Sequence, residues 1–238
     1  MYTGDATLFE KGKSTKTGVQ AFVSGIIALA VFGAALFWPA GTFHYWQAWV
    51  FLAIFVISST VSSIYLATSN PEVLQRRLHG GPIAETRPVQ KLAVTVLLSS
   101  FLALTVVSAF DHRFGWSHVP TWLVIVGEVL VIGGLGAATL VVAQNNYAAA
   151  GITVESGQTV TSTGLYGLVR HPMYTGSLVM MVGIPLALGS YWGLLAVAPA
   201  APSLVVRILD EEKMLRHDLQ GYDECTEKVR SRLVPLVW

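Results

Sequence analysis

Charged residues are scarce in this sequence. Only 12% of its 238 residues are Asp, Glu, Lys or Arg, against 53% that are hydrophobic, whereas a soluble domain carries about 25% charged residues. So few charges cannot cover a water-exposed surface, which excludes a disordered chain and argues against an ordinary soluble fold. The net charge of +1 also argues against a nucleic-acid partner.

Cysteines and metal-binding motifs are almost absent as well. Cys225 is the single cysteine, so an internal disulfide and a cysteine-based zinc site are excluded. The six histidines show no ligand spacing such as HExxH, and we expect no metal. The run Gly133-Gly134-Leu135-Gly136 resembles a dinucleotide-binding fragment, but it lies in an apolar stretch without a preceding strand. We expect these glycines to let helices pack closely instead.

The uncharged stretches are long enough to cross a bilayer, which takes about 20 apolar residues in a helix. Six runs are predicted as spans: residues 18–38, 45–68, 92–110, 122–143, 173–189 and 192–209. The last two are short and contain prolines, which favours a helical hairpin partly shielded by protein. The sequence therefore predicts an all-α integral membrane fold with about six transmembrane helices.

Lysine and arginine fall almost entirely on one predicted side of the membrane. Fourteen of the 15 lie in the N-terminal tail, in the loops at 69–91 and 144–171, or after residue 206. Only Arg113 lies on the opposite side. By the positive-inside rule we expect both termini and these loops in the cytoplasm, at the inner membrane if the protein is bacterial.

The loop at 144–171 is polar and longer than an ordinary connection, which is typical of functional or disordered segments. It ends at Arg170-His171-Pro172, and proline suits the first position of a helix. The positive end of that helix dipole would favour a carboxylate or a phosphate. The alternative interpretation is a basic anchor at the membrane boundary, followed by an ordinary helix start.

Two further groups of charged residues lie at or within predicted spans. Arg207 and Glu211 are four residues apart and share a helix face, where they could bind a zwitterion. The alternative is a surface ion pair worth under about 1 kcal/mol. Glu128 lies inside the fourth span, where an acid is costly. It is either functional, protonated, or paired with Arg113 or with a neighbouring helix.

The C-terminal stretch 213–238 alternates charged and apolar residues. This pattern predicts one or two cytoplasmic amphipathic helices that lie on the membrane surface. Alternatively, the tail folds back to cover a cytoplasmic site.

One continuous segment carries a family resemblance. Residues 158–176, QTVTSTGLYGLVRHPMYTG, resemble the core motif of the isoprenylcysteine carboxyl methyltransferase family. The downstream Arg207, the pair Glu211-Glu212 and Gly221-Tyr222 are similar to the family's C-terminal pattern. Residues 70–77 resemble a loop of its bacterial members. The strong resemblance covers about residues 144–238, and the earlier spans match only in hydropathy.

The resemblance implies an integral-membrane methyltransferase that uses S-adenosylmethionine. It implies a single domain over 1–238, with a four-helix membrane part at 1–143 and a cofactor-binding catalytic part at 144–238. The residues implied to bind the cofactor are Gln158, Thr159, Val160, Thr161, Tyr166, His171, Pro172, Met173, Tyr174 and Glu211. Arg207, with Arg170 second, is implied to bind the carboxylate of a lipophilic, isoprenylcysteine-like acceptor.

Other functions fit the same pattern. A relative could methylate a phospholipid amine, a thiol or another lipid, although an amine needs a base and would not favour Arg207 at its nucleophile. A non-enzymatic transport or accessory protein would need polar residues along a midplane path, and Glu128 is the only ionisable residue deep in a predicted span. Cys225 stands where the family commonly has a tyrosine, and if that aromatic helps to close the pocket, the resemblance implies a different closure or acceptor choice here.

Overall fold

The computed structural model describes residues 3–78, 85, 87–148, 154 and 157–238, and these residues form helices and connections without a strand. The helices are α1 (Thr3–Ala40), α2 (Trp46–Ser69), α3 (Pro71–Leu78), α4 (Pro88–Phe114), α5 (Thr121–Gln144), α6 (Pro172–Ala187), α7 (Val197–Asp218) and α8 (Tyr222–Lys228), with 3-10 helices at Gly164–Gly167 and Trp192–Ala196.

Most of the helical segments are built to cross a bilayer. Among the described residues, five are long and apolar enough: Thr17–Ala40, Trp46–Ser69, Pro88–Phe114, Thr121–Gln144 and Trp192–Asp218. Each contains a long apolar stretch, so the faces of that stretch that turn away from the protein suit lipid rather than water. The predicted all-α integral membrane fold is confirmed.

Of the last two predicted segments, α6 is short, as expected, and α7 runs further than predicted. α6 has 16 residues, so it is about 24 Å long and short of the hydrocarbon core of about 30 Å. Pro172 sets its start, and the turn at Gly189 sets its end with a φ of +72° that suits glycine. α7 continues beyond residue 209 to Asp218. Six expected spans thus become five spans and one short apolar helix.

α6 and α7 still run antiparallel, as a hairpin requires. Near the start of α6, Tyr174 contacts Arg207 of α7. At the other end, a side chain on Gly193 would lie 2.9 Å from Cβ of Pro185. Between these ends the two helices diverge, and α6 packs mainly against α5. This divergence leaves room for a cavity between them.

α5 and α6 pack backbone against backbone. Glycines on both helices face each other along the contact: Gly127 and Gly134 on α5, Gly176 and Gly183 on α6. A Cβ on Gly127 would lie 2.2 Å from the Ala187 nitrogen, and one on Gly134 would lie 2.7 Å from the Gly176 carbonyl oxygen. The expected glycine packing therefore holds for Gly134, but not for Gly133 or Gly136, at each of which a Cβ would meet nothing within 4 Å.

A buried polar network fixes the end of the bundle away from the start of α6. Asp111 accepts hydrogen bonds from the hydroxyls of Ser117, at 2.6 Å, and Ser190, at 2.5 Å. The Tyr45 hydroxyl donates to the Leu188 carbonyl at 2.6 Å. These bonds hold the turn between α6 and α7 against α4 and the start of α2. They therefore fix the place at which the chain reverses direction between α6 and α7.

Glu128 is buried on α5, and neither of its carboxylate oxygens has a hydrogen-bond partner among the described residues. The pairing with Arg113 considered from the sequence is not formed. Arg113 instead donates to the Pro39 carbonyl at 3.4 Å and lies 5.6 Å above the Phe114 ring. A protonated Glu128 stays a prediction.

Candidate active site

A cavity of about 370 Å³ opens between α4, α6 and α7 where α6 begins. This volume lies within the range of small-molecule sites. All twelve residues singled out from the sequence line it: Gln158, Thr159, Val160, Thr161, Tyr166, Arg170, His171, Pro172, Met173, Tyr174, Arg207 and Glu211. The structure brings them together, and their individual roles stay predictions.

The segment before α6 is tied to the end of α5. In the 3-10 helix Gly164–Gly167, the Leu165 amide donates to the Gln144 side-chain oxygen at 2.9 Å. The neighbouring Asn145 donates to the Tyr166 hydroxyl at 3.2 Å. Burial raises the pKa of the Tyr166 phenol, so this ring faces the cavity as a neutral hydroxyl. These bonds place Tyr166 on one wall.

The C-terminal tail folds back onto the start of α6. The amides of Arg170 and His171 donate to the carbonyls of Ser231, at 2.9 Å, and Arg232, at 3.0 Å. His171 immediately precedes Pro172, the first residue of α6. Of the two alternatives for the tail, folding back is the one observed. The positive end of α6 lies at the cavity because Pro172 and its neighbours line it.

A buried carboxylate joins the start of α6, α7 and the tail. Glu212 on α7 pairs with Arg170 at 2.8 Å and with Arg232 at 2.9 Å. The His171 ring nitrogen lies 3.4 Å from the same carboxylate. Arg170 also donates to the Val229 carbonyl at 2.7 Å. Arg170 therefore clamps three segments together, which is a structural task beside the catalytic role predicted for it.

Tyr174 links the two sequence-predicted residues of α7. Its hydroxyl donates to a Glu211 carboxylate oxygen at 2.7 Å and accepts from the Arg207 Nε at 2.9 Å. The Arg207 guanidinium carbon also lies 5.8 Å from the Tyr174 ring centre. The predicted pair is thus bridged by a phenol in the cavity wall. Glu211 keeps 21% of its side chain exposed, so its carboxylate is accessible to a ligand.

Arg207 has a second set of partners, which the sequence did not indicate. Its Nη1 donates to Glu85 and to the Gln90 side chain, both at 2.9 Å. The Gln90 amide returns a hydrogen bond to the Arg207 carbonyl at 3.1 Å. Beside it, Asp210 pairs with Arg87. The side chains of Arg207 and Glu85 are 6% and 3% exposed, so this is a buried ion pair.

One wall of the cavity is apolar and extends along α4. It is formed by Val94, Leu97, Leu98 and Phe101. Their spacing places them on one helix face over roughly 10 Å. Leu204 of α7 completes this wall. Although the spacing is visible in the sequence, the sequence analysis did not single it out. The cavity thus has a polar end and an apolar end.

α8 and the residues before it also line the cavity. Tyr222 and Cys225 line the cavity, and the buried Tyr222 hydroxyl has no hydrogen-bond partner among the described residues. Burial raises the pKa of Tyr222 and of the Cys225 thiol, so both stay protonated near neutral pH. An orphaned buried hydroxyl in a cavity wall is unusual and is suited to a polar ligand.

No group of three or more His, Cys, Asp or Glu side chains that could hold a metal ion occurs among the described residues. The expected absence of a metal stays a prediction.

Comparison with known proteins identifies a family model that matches part of the chain. Residues 122–220 match the family model of phospholipid methyltransferases. This stretch runs from α5 through α7, and it contains every sequence-predicted site residue. It indicates a membrane methyltransferase, and it supports the family indicated by the motif without selecting a member or an acceptor. No curated protein matches the chain.

Proposed function

We propose that this protein binds S-adenosylmethionine in the cavity at the start of α6 and transfers the methyl group to a lipid. The observation that carries the proposal is the two-ended cavity. One end presents Glu211, the Tyr222 hydroxyl and a helix N-terminus, and the other end is the apolar wall of α4. A polar cofactor and a lipophilic acceptor can therefore meet in one place.

The polar end has the groups that S-adenosylmethionine needs. The cofactor carries a sulfonium, an ammonium, a carboxylate and a ribose diol. Glu211 suits the ammonium or the diol, and the start of α6 suits the carboxylate. The orphaned Tyr222 hydroxyl would gain a hydrogen bond from a ligand. Tyr166 and Met173 offer an aromatic and an apolar surface for the adenine.

The chain's own contribution to the chemistry is mainly positional. When bound, S-adenosylmethionine supplies a methyl group on a positively charged sulfur, which is already activated towards a nucleophile. The side chains therefore need to align the two reactants and exclude water. Glu211 and Tyr174 place negative charge and a dipole beside the polar end. The α4 wall holds the acceptor tail so that its reacting group lies near Arg207.

The acceptor has two candidates. The sequence motif favours a carboxylate, which would bind Arg207 with Arg170 second and needs no general base. The match to phospholipid methyltransferases favours a phospholipid headgroup instead. In both cases the tail lies on the α4 wall and enters from the bilayer. We further propose, from the lysine and arginine distribution, that the site and both termini face the cytoplasm.

Calorimetric binding of S-adenosylhomocysteine to the detergent-purified chain tests the cofactor site. We expect the wild type to bind, and Glu211→Ala and Tyr222→Phe to bind more weakly, by about tenfold and by a few-fold respectively. Glu227→Gln, an exposed acid on α8, is the matched control and should bind as the wild type does. A wild type that does not bind would refute the methyltransferase, and unchanged binding by both site variants would refute the site.

Transfer of a labelled methyl group then tests the reaction. The purified chain is incubated with labelled S-adenosylmethionine and micelles that hold a prenylcysteine, a fatty acid or a phospholipid. We expect label in at least one lipid product. Binding without transfer to any lipid would support the non-enzymatic alternative considered from the sequence.

A further inference from the structure

We propose that Glu85 determines which acceptors this protein methylates. It forms an ion pair with the Arg207 guanidinium and thereby disfavours acceptors that react through a carboxylate. The inference rests on the proposed function, in which Arg207 lies beside the reacting group of the acceptor. It adds a specificity-determining residue that lies outside the stretch 122–220 matched by the family model.

The first observation is that Arg207 already has an anionic partner. Its Nη1 donates to Glu85 at 2.9 Å and to the Gln90 oxygen at the same distance. Its Nε donates to the Tyr174 hydroxyl at 2.9 Å. Both members of the ion pair are buried, so the attraction between them is only weakly screened by water. The positive charge that an acceptor carboxylate would use is therefore largely compensated.

The second observation is that Glu85 is not among the residues that line the cavity. Arg207 and Tyr174 line the cavity, whereas Glu85 and Gln90 are not among its described lining residues. Glu85 therefore contacts the guanidinium without lining the cavity itself. It does not occupy the acceptor's place, and it changes the charge that the acceptor meets there. Glu85 is a positioning residue, not one that touches the reacting atoms.

The third observation is the negative charge on the cavity side. Glu211 accepts from Tyr174, which also contacts Arg207. A carboxylate acceptor beside Arg207 would lie close to both Glu85 and Glu211, and like charges that share one cation repel each other. A neutral or amine nucleophile meets no such repulsion. The pairing with Glu85 also weakens the objection that Arg207 would repel an amine.

Transfer to an amine is balanced without a further reactant. The ammonium of the acceptor first loses a proton to water, and the lone pair of the resulting neutral amine nitrogen then forms the new N–C bond while the C–S bond breaks. The C–S bonding pair passes to sulfur, which becomes a neutral thioether. The nitrogen becomes a methylated ammonium, so one proton in all passes to water. Its positive charge develops near Glu211, which favours it.

A competition assay with the full chain tests the inference. Micelles hold equal amounts of phosphatidylethanolamine and a farnesylated cysteine with a free carboxylate, and labelled products are separated. We expect the wild type to favour the amine. Glu85→Gln keeps an oxygen for Arg207 but removes the charge, so the carboxylate-to-amine ratio of kcat/KM should rise about tenfold or more. Glu85→Asp should keep the wild-type preference.

Controls separate specificity from a structural role. Glu72→Gln removes an acid that is 79% exposed on α3, and it should leave the ratio unchanged. If Glu85 served only as the ion-pair partner of the buried Arg207, Glu85→Gln would lower the rates with both acceptors together and leave their ratio unchanged. That result would overturn the inference. A wild type that prefers the carboxylate would also overturn it, and this result needs no variant that folds.

The failure of this inference is distinguishable from that of the proposed function. A chain that does not bind S-adenosylhomocysteine fails as a methyltransferase. A chain that binds it and transfers methyl preferentially to the carboxylate contradicts only the role given to Glu85.

Discussion

The contact between α5 and α6 gives the sharpest prediction about stability. We compare Gly127→Ala with Gly133→Ala, because each adds one methyl group to the same helix. At residue 127 the added Cβ would lie 2.2 Å from the Ala187 nitrogen, whereas at residue 133 nothing lies within 4 Å. The two variants therefore differ in packing and hardly at all in chemistry.

The magnitude follows from these distances. Carbon atoms in good contact lie about 3.5–4.0 Å from their neighbours, so α5 and α6 must separate by about 1 Å to accept the methyl group of Gly127→Ala. Overpacking of this kind costs about 1–3 kcal/mol. Gly133→Ala instead gains up to about 1 kcal/mol from helix propensity. The unfolding free energies of the two variants should differ by roughly 2–4 kcal/mol.

Thermal unfolding in detergent, followed by circular dichroism, measures this difference. For a chain of this size the Tm of Gly127→Ala should lie about 5–15 °C below that of Gly133→Ala. Separation of α5 and α6 would also shift the start of α6, so Gly127→Ala should weaken S-adenosylhomocysteine binding as well. Equal Tm values, or a lower Tm for Gly133→Ala, would refute the close packing.

Three further predictions concern the site. Glu212→Gln leaves the buried Arg170 without its carboxylate and should cost about 3–5 kcal/mol of stability, measured by the same unfolding assay; an unchanged Tm contradicts the clamp. Phe101→Ala should raise KM for a lipid acceptor and leave S-adenosylhomocysteine binding intact, and a loss of binding contradicts the apolar end. The Cys225 thiol should react slowly with a maleimide near neutral pH, faster above pH 9, and more slowly with S-adenosylhomocysteine present; reaction as fast as that of a free thiol contradicts its burial.

The helices were largely predictable because hydropathy and turn residues determine them locally. The predicted spans 45–68 and 122–143 agree within a residue or two with Trp46–Ser69 and Thr121–Gln144. The predicted segment 173–189 also agrees within two residues with Pro172–Ala187, and its expected shortness has a local cause, since Pro172 and the turn at Gly189 limit the helix to 16 residues.

The candidate site was predictable only in part. The motif residues gather because His171 and Tyr174 are close in sequence and face one helix turn of α7. The Glu85 pairing was not predictable, because 122 residues separate Glu85 from Arg207 and no spacing rule connects them. The apolar face around Phe101 has a readable spacing, but in a membrane helix a face that lines a cavity has the same composition as one that contacts lipid.

The return of the tail onto the start of α6 also sets an order of events during synthesis. The amides of Arg170 and His171 find their partners only after the ribosome has added Ser231 and Arg232. By then α1 to α5 have long been available for insertion into the membrane. The cavity is therefore completed last, so a polypeptide released before that point would be inserted in the bilayer but would lack a finished binding site.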